Sequence, residues 1–289
     1  MQPQTVTANG LRFGYLEHGR GPLVLLVHGF PDTAYTWEHA MPAIAEAGYR
    51  AVAPFTRGYA PTEIPPDGDY RAETLAADVV ALIEALGEAL GETSAVVVGH
   101  DWGALAGYLA AAVRPERIRL LVTVGIPHPA SIRPGPKLAW SMRHFLSLRG
   151  KRGGDRIRRD DFAYVDELYR RWSPAWPDIP ADETARVKQM FAEPGRAEAA
   201  AAYYRALGLR LPAALKQPVT VPTVAFAGTH DNIAPRAYEK ARHCFAASYE
   251  VVQVPGGHFM HREHPAEFDR ELVRVLRDHD RERAAAVQS

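Results

Sequence analysis

The stretch Ala95-Val96-Val97-Val98-Gly99-His100-Asp101-Trp102-Gly103 is the strongest indication of the fold of this chain. Its apolar start predicts a buried strand, and residues 104–113 predict a helix. The two glycines that bracket the turn are typical of a nucleophile elbow, a strained strand-to-helix turn that presents its central side chain at the top of a sheet. That side chain is Asp101, and a carboxylate there suits attack on an sp3 carbon that carries a leaving group or belongs to a strained ring. The product would be a covalent ester.

Composition sets broad limits on the class of protein. The chain has 289 residues, 47% hydrophobic and 24% charged, which suits one α/β domain with an insertion. The formal net charge is zero, so we expect neither nucleic acid nor a membrane as a partner. The single cysteine, Cys244, excludes an intrachain disulfide and fits a reducing compartment, so we expect a cytoplasmic location. We find no secretory signal pattern and no apolar run long enough for a transmembrane helix. Composition leaves open whether the protein is a monomer or a homodimer.

Strands and helices alternate through the first half of the chain. Apolar runs predict strands at 23–27, 49–53, 95–98 and 120–124. Residues 37–47 and 74–86 have helical periodicity. This alternation predicts an α/β fold with a mostly parallel central sheet flanked by helices.

The character of the sequence changes after Pro127. Residues 128–213 contain aromatic-rich helical stretches and a basic loop but no good strand pattern, which predicts an inserted helical cap. Residues 1–127 and 214–289 would form the core. Strand patterns return at 221–226 and 249–254, an amphipathic helix follows at 265–278, and we expect the tail 281–289 to be frayed.

Two further residues follow strands where partners of an elbow nucleophile belong. Asp231 comes just after the strand that ends at Phe226, and His258 just after the strand that ends at Val254. The chain order of nucleophile, acid and histidine is that of α/β-hydrolases and not that of the other triad folds. Both residues follow carboxyl ends of strands, where open α/β sheets place their sites. Asp101, Asp231 and His258 are therefore predicted to form a catalytic triad.

Simpler interpretations of these residues stay open. Asp231 precedes Asn232 in a typical turn pair, and His258 is one of 12 histidines. His258, His261 and His264 are spaced three apart, but no cysteine or acidic ligand pattern accompanies them. We therefore expect no metal and no cofactor.

The segment His28-Gly29-Phe30-Pro31 follows the first apolar strand. In this type of fold, the residue after His-Gly and the residue after the nucleophile donate backbone N–H groups to an oxyanion hole. Those residues are Phe30 and Trp102. A simple tight turn at His28-Gly29 is the alternative.

Together these motifs resemble the epoxide hydrolase branch of the α/β-hydrolase superfamily. The resemblance rests on the stretches His28-Gly29-Phe30-Pro31, Arg57-Gly58-Tyr59, Gly99-His100-Asp101-Trp102-Gly103, Gly228…Asp231 and Gly257-His258. Thr56 departs from the family pattern, which has Asp before Arg-Gly. The resemblance implies a cis peptide between Phe30 and Pro31, and hydrolysis of an epoxide to a vicinal diol through an ester on Asp101.

The resemblance also implies two cap side chains that hydrogen-bond the epoxide oxygen, usually tyrosines. The segment Ala202-Tyr203-Tyr204-Arg205 nominates Tyr204, and the segment His144–Arg149 places His144 where the other tyrosine stands. A His/Tyr pair occurs in a minority branch of the family. Tyr164 or Tyr169 are alternatives to His144, and both nominated residues could instead serve only packing.

Aromatic residues near these motifs suggest an apolar pocket for a small lipophilic epoxide, with water as the second reactant. We assign substrate contacts to His28, Phe145, Trp140 and Tyr203.

A haloalkane dehalogenase with the same Asp-His-Asp triad is the nearest rival. Trp102 favours it, because that family binds halide with the residue after the nucleophile, whereas Phe30 disfavours it. Trp140, Trp172 or Trp176 could supply a second indole N–H. A fluoroacetate-type dehalogenase would carry arginines where Trp102 and Leu105 stand, and an esterase would carry serine at 101. A non-catalytic binder on the same scaffold would not need all three triad residues.

Overall fold

The structure, a computed structural model, describes residues 1–88, 91–133, 135–208 and 210–288, with only the backbone of 137–139 and 287–288. Eight strands form one sheet: β1 Gln4–Ala8, β2 Leu11–Gly19, β3 Leu23–Val27, β4 Arg50–Pro54, β5 Ala95–His100, β6 Ile118–Val124, β7 Thr223–Gly228 and β8 Tyr249–Val254. Their order is β1-β2-β4-β3-β5-β6-β7-β8. Strand β2 runs antiparallel to both neighbours, and the other pairings are parallel.

The helices of the core cover the two faces of this sheet. They are α1 Ala40–Glu46, α2 Ala72–Gly87, α3 Trp102–Val113, α9 Pro235–Lys240, α10 Met260–Glu263 and α11 Pro265–Gln288. Strands β3 and β5 are buried along their whole length, as strands covered on both faces must be. The predicted α/β architecture is confirmed.

Residues 128–213, between β6 and β7, form the segment that we call the cap, and its described residues contain further helices. These are α4 Pro136–Ser141, α5 Arg143–Arg149, α6 Gly153–Trp172, α7 Ala181–Ala192 and α8 Arg196–Ala206. Helix α6 is interrupted near its middle, where Asp160, Asp161 and Phe162 have positive φ angles. Within the described part of 128–213 no strand occurs. Short 3-10 helices lie at Ala34–Trp37, Pro115–Arg117, Pro129–Ser131, Ala213–Lys216 and Ala241–Cys244.

Three local predictions differ from the structure. The hairpin β1–β2 was not predicted, although its residues pair in register from Gln4 with Tyr15 to Ala8 with Leu11. The helix predicted at 37–47 is a 3-10 turn followed by α1. The tail was predicted to fray, yet α11 continues to Gln288, since its residues are mostly strong helix formers. None of the described helices is long and apolar enough to cross a bilayer.

Candidate active site

Asp101 occupies a strained turn between β5 and α3, with φ 52° and ψ −115°. This conformation brings the strand and the helix so close that side chains do not fit. A Cβ on Gly99 would collide with the carbonyl of Gly103, and a Cβ on Gly103 would collide with the carbonyl of Val27. The two glycines are therefore required by the turn, which holds Asp101 at the carboxyl end of the sheet.

The carboxylate of Asp101 is held from one side by the loop after β3. The backbone N–H of Phe30 donates to Oδ1 of Asp101 over 2.9 Å. A Cβ on Gly29 would lie 2.5 Å from Asp101, so only glycine allows this approach. The peptide bond between Phe30 and Pro31 is cis, as the resemblance implied. The backbone N–H of Trp102, first in α3, has no acceptor within its own helix.

His258 and Asp231 complete the group at the ends of the paired strands β8 and β7. Nδ1 of His258 lies 3.3 Å from Oδ2 of Asp231, and Nε2 lies 3.6 Å from Oδ2 of Asp101. Burial lowers the pKa of His258, but the charges of Asp231 and Asp101 outweigh it and raise this pKa well above the usual value. Burial raises the pKa of Asp101, but its attraction to His258 and the N–H of Phe30 lower it below the usual value overall. The pair therefore rests as carboxylate and imidazolium.

The cap holds the loop that carries the histidine. The backbone N–H of His258 donates to the carbonyl of Trp172 over 2.9 Å, and that of Phe259 donates to Oγ of Ser173 over 3.2 Å. The ring of Phe259 is stacked on Tyr169 with centroids 3.9 Å apart. This role of Trp172 and Ser173 was not predicted, because contacts between distant parts of a chain leave no local pattern in a sequence.

Tyr204 lies over the nucleophile. Its ring packs edge-on against Phe30 at 5.3 Å and Trp102 at 5.2 Å, and only 1% of the residue is exposed. Burial and the charge of Asp101 raise the pKa of Tyr204, and the neighbouring Trp102 side chain lowers it in part. The overall shift is well upward, so the phenol keeps its proton.

His144 and Phe145 stand beside Tyr204. The centroid of His144 is 5.7 Å from that of Tyr204 and 4.8 Å from that of Trp172, while Phe145 is 5.0 Å from Tyr204. Nδ1 of His144 lies 3.2 Å from the carbonyl oxygen of Ser141 and must donate to it. Burial lowers the pKa of His144 to about 4. The neutral ring therefore carries its lone pair on Nε2.

Three residues predicted to contact substrate have other contacts in the structure. Trp140 is 70% exposed on the outer surface of the cap, so its prediction was wrong, because the phase of its helix turns it outward. His28 is fully buried, and its Nδ1 donates to Gly29 while its Nε2 accepts from the backbone of Thr56 at 3.0 Å. The hydroxyl of Tyr203 donates to the carbonyl of Arg57 at 2.7 Å. Substrate contacts of His28 and Tyr203 stay predictions.

The alternatives to His144 are engaged in other contacts. The hydroxyl of Tyr164 hydrogen-bonds Oγ of Ser147 at 2.8 Å, and the ring of Tyr169 supports Phe259. Among the histidines considered for a metal, Nε2 of His261 pairs with Oγ1 of Thr36 at 2.6 Å. Within the described ranges no three His, Cys, Asp or Glu side chains are grouped to hold a metal ion.

Comparison with known proteins agrees with this geometry. Residues 22–265 match the model of the alpha/beta hydrolase fold family. The AB hydrolase superfamily protein YfhM of Bacillus subtilis is 30% identical over 290 aligned positions, covering 95% of this chain and 98% of that protein. An epoxide hydrolase of Caballeronia sordidicola is 44% identical over 123 residues, which is 42% of this chain and 36% of that one.

A solved structure supports the same placement. The crystal structure of the epoxide hydrolase VrEH1 from Vigna radiata has a TM-score of 0.79 and 26% identity, and the match covers 96% of this chain and 98% of that one. The chain belongs to the α/β-hydrolase family and is similar to its epoxide hydrolases.

Proposed function

We propose that this hydrolase opens a small lipophilic epoxide to a vicinal diol through an ester on Asp101. The observation on which the proposal rests is the position of Tyr204, whose buried ring packs on Phe30 and Trp102 and whose raised pKa keeps its hydroxyl protonated beside Asp101. An opening epoxide leaves as an alkoxide, which needs such a proton in a pocket shielded from water.

In the first step, a carboxylate oxygen of Asp101 attacks an epoxide carbon and the C–O bond to the ring oxygen breaks. Tyr204 gives its proton to that oxygen, which becomes the hydroxyl of the ester intermediate. Because Nε2 of neutral His144 carries a lone pair, we assign the proton transfer to Tyr204. His144 and Phe145 would shape the wall beside the epoxide.

Formation of the ester removes the negative charge of Asp101. Since that charge helps to raise the pKa of His258, its loss lowers the pKa and favours release of a proton, which returns to the phenolate of Tyr204. Neutral His258 then takes a proton from water, and the hydroxide attacks the carboxyl carbon of Asp101. Asp231 stabilises the resulting imidazolium.

The oxyanion of this second step would form on the carboxyl group of Asp101. The N–H of Phe30 already donates to Oδ1 there, and the N–H of Trp102 would be the second donor. One donor of this kind contributes about 3–4 kcal/mol in comparable sites. As the intermediate collapses, the bond to the ester oxygen breaks and the proton of the newly added hydroxyl passes to that oxygen, which releases the diol and leaves the carboxylate of Asp101 and the imidazolium of His258.

A haloalkane dehalogenase is the second candidate, and the position of Trp172 favours it. The indole ring lies 4.8 Å from His144 and 5.2 Å from His258, so a second indole borders the site. A halide leaves without taking a proton, so this alternative gives no role to the buried phenol of Tyr204 beside the first indole, that of Trp102, and this weakens it.

Product analysis separates the two reactions. The purified protein is incubated with styrene oxide and, in parallel, with 1-bromohexane. We expect phenylethanediol from the epoxide and no enzyme-dependent bromide. Bromide release without diol formation would assign dehalogenation instead, and neither product from a wider panel of both classes would contradict the proposed function.

A further inference from the structure

The net charge of the chain is zero, and on that ground we expected no membrane partner, but the charges are distributed unevenly along the chain. Residues 131–161, at the start of the cap, contain nine lysines and arginines but only three aspartates, so this segment has a formal charge of +6. The rest of the chain has a formal charge of −6. A strongly basic region on an otherwise acidic protein indicates a negatively charged partner for that region.

Most cations of this segment lack a carboxylate partner. In the described part of the chain, ion pairs of the segment involve Arg156 and Arg158. Among the described side chains of the segment, the cations without a carboxylate partner are Arg133, Arg143, Arg149, Lys151, Arg152 and Arg159. Four of these six are exposed. Unpaired cations close together in a chain repel one another, and a surface of opposite charge relieves that repulsion.

Two large apolar side chains project from the same segment. Trp140 is 70% exposed and Leu146 is 81% exposed, whereas most apolar side chains of the cap are buried. The guanidinium of Arg143 lies 4.4 Å from the ring centroid of Trp140 and donates to its carbonyl. This contact joins Trp140 of α4 to Arg143 of α5, and Leu146 lies three residues after Arg143 on α5, so the three side chains are neighbours on the outside of the cap.

The opposite face of α5 borders the candidate active site. His144 and Leu148 are buried on that face, and His144 packs against Tyr204. The basic and apolar surface therefore covers the outside of the helix whose inside forms the wall of the site. A partner bound there would lie against the cap rather than against the sheet.

We propose that the described side chains of residues 131–159 form a docking surface for an anionic phospholipid bilayer. Lysine and arginine attract the negative surface of such a membrane, and tryptophan and leucine insert at the level of its headgroups. Two exposed apolar side chains fall well short of the roughly 800 Å² that each partner buries in a typical protein interface. They suffice as shallow anchors beside six unpaired cations. The proposal does not depend on the reaction at Asp101.

Vesicle sedimentation of the full chain tests the surface. Binding to anionic vesicles, made of phosphatidylcholine with about 30% phosphatidylglycerol, is compared with binding to neutral vesicles of phosphatidylcholine alone. Both are measured at about 50 and 500 mM salt. We expect binding to the anionic vesicles at low salt, and its loss at high salt and on the neutral vesicles. No binding to anionic vesicles at low salt would overturn the proposal.

Two variants and a matched control locate the effect. The double substitution Arg149→Glu/Arg152→Glu should weaken binding about tenfold or more, since each cation near a membrane changes binding about fivefold. Trp140→Ala should weaken binding several-fold at unchanged charge. The control, Arg20→Glu/Arg277→Glu, makes the same change in net charge away from the cap, because Arg20 precedes β3 and Arg277 lies on α11 near Tyr49, which precedes β4.

Each outcome decides the proposal. Binding lost in the cap variants and kept in the control supports the docking surface. Equal loss in both double variants would show that only net charge matters and would overturn it. A dimer in sedimentation equilibrium that disappears in Trp140→Ala would assign the surface to a second copy of the chain, and would also overturn it. Diol formation from a dissolved epoxide should stay unchanged in every variant, which separates this test from that of the proposed function.

Discussion

The sheet edge and the cap contribute to one site by different physical means. At the sheet edge, the backbone places the groups: a strained turn holds Asp101, and the paired strands β7 and β8 bring Asp231 and His258 together. In the cap, Tyr204 and His144 are positioned by aromatic packing, and His144 also by one hydrogen bond. The backbone of the fold thus places the proposed nucleophile, while side-chain packing places the proposed proton donor.

The largest effect should come from the sheet edge. In Asp101→Asn, the amide keeps the shape of the carboxylate but cannot form the ester. We expect the initial rate of diol formation to fall by about 10⁴-fold or more, while the melting temperature changes little. A residual rate within tenfold of the wild type, with asparagine verified by mass, would show that Asp101 is not the nucleophile.

The adjacent tyrosines of α8 sharpen the comparison. Tyr204→Phe removes the proposed acid and should lower kcat/KM about 10²–10⁴-fold. Tyr203→Phe is the matched control, because its hydroxyl bonds the carbonyl of Arg57 and not the site. It should cost about 0.5–1.5 kcal/mol of unfolding free energy and leave kcat/KM nearly unchanged.

Steady-state kinetics and urea unfolding of both variants give these numbers. Equal losses of activity in the two would mean that the hydroxyl of Tyr204 has no special role in opening the ring.

His144 should matter much less than Tyr204. His144→Phe preserves the ring that packs on Tyr204 and Trp172 and removes both nitrogens, so we expect a change in kcat/KM of less than about tenfold. Since the pKa of His144 is about 4, the ratio of kcat/KM between His144→Phe and the wild type should not vary between pH 6 and 9. A loss as large as that of Tyr204→Phe would instead make the histidine a proton donor.

The smallest effect concerns a carboxyl far from the site. Burial raises the pKa of Asp269 in α11 to about 7, and its Oδ1 has no hydrogen-bond partner in the described chain. The native state therefore favours the protonated form, which stabilises the fold below about pH 4 and loses this advantage as pH rises through 7.

The substitution Asp269→Asn removes that penalty. It should stabilise the protein by about 1–2 kcal/mol at pH 8, after allowance for partial exposure, and by progressively less toward pH 4. Urea unfolding at both pH values measures it. A gain that is equal at the two pH values would exclude titration of Asp269 as its cause.

The core could be read from the sequence because its signals are local. Buried parallel strands appear as continuous apolar runs, and the elbow needs glycines at fixed positions. The hairpin β1–β2 was not predicted, because β1 is mostly exposed and contains no apolar run. The order of Asp101, Asp231 and His258 along the chain sufficed to nominate the group that the structure brings together.

The cap could be read only in part. Tyr204 and His144 were nominated by resemblance, and the structure places both beside the nucleophile. Trp140 and Tyr203 are neighbours of site residues in sequence but point elsewhere, because successive residues of a helix face different directions. The contacts of Trp172 and Ser173 with the His258 loop depend on the docking of the cap on the core, which no local pattern encodes.

The most direct test of the ester on Asp101 is the intact mass of His258→Gln after exposure to an epoxide that the wild type converts. Without its base, the variant should form the ester and fail to hydrolyse it. We expect the mass of His258→Gln to increase by one epoxide molecule, with the added mass mapped by peptide analysis to Asp101. The increase should be absent from the double variant Asp101→Asn/His258→Gln. An unmodified mass, with diol still released by the wild type, would contradict the covalent mechanism.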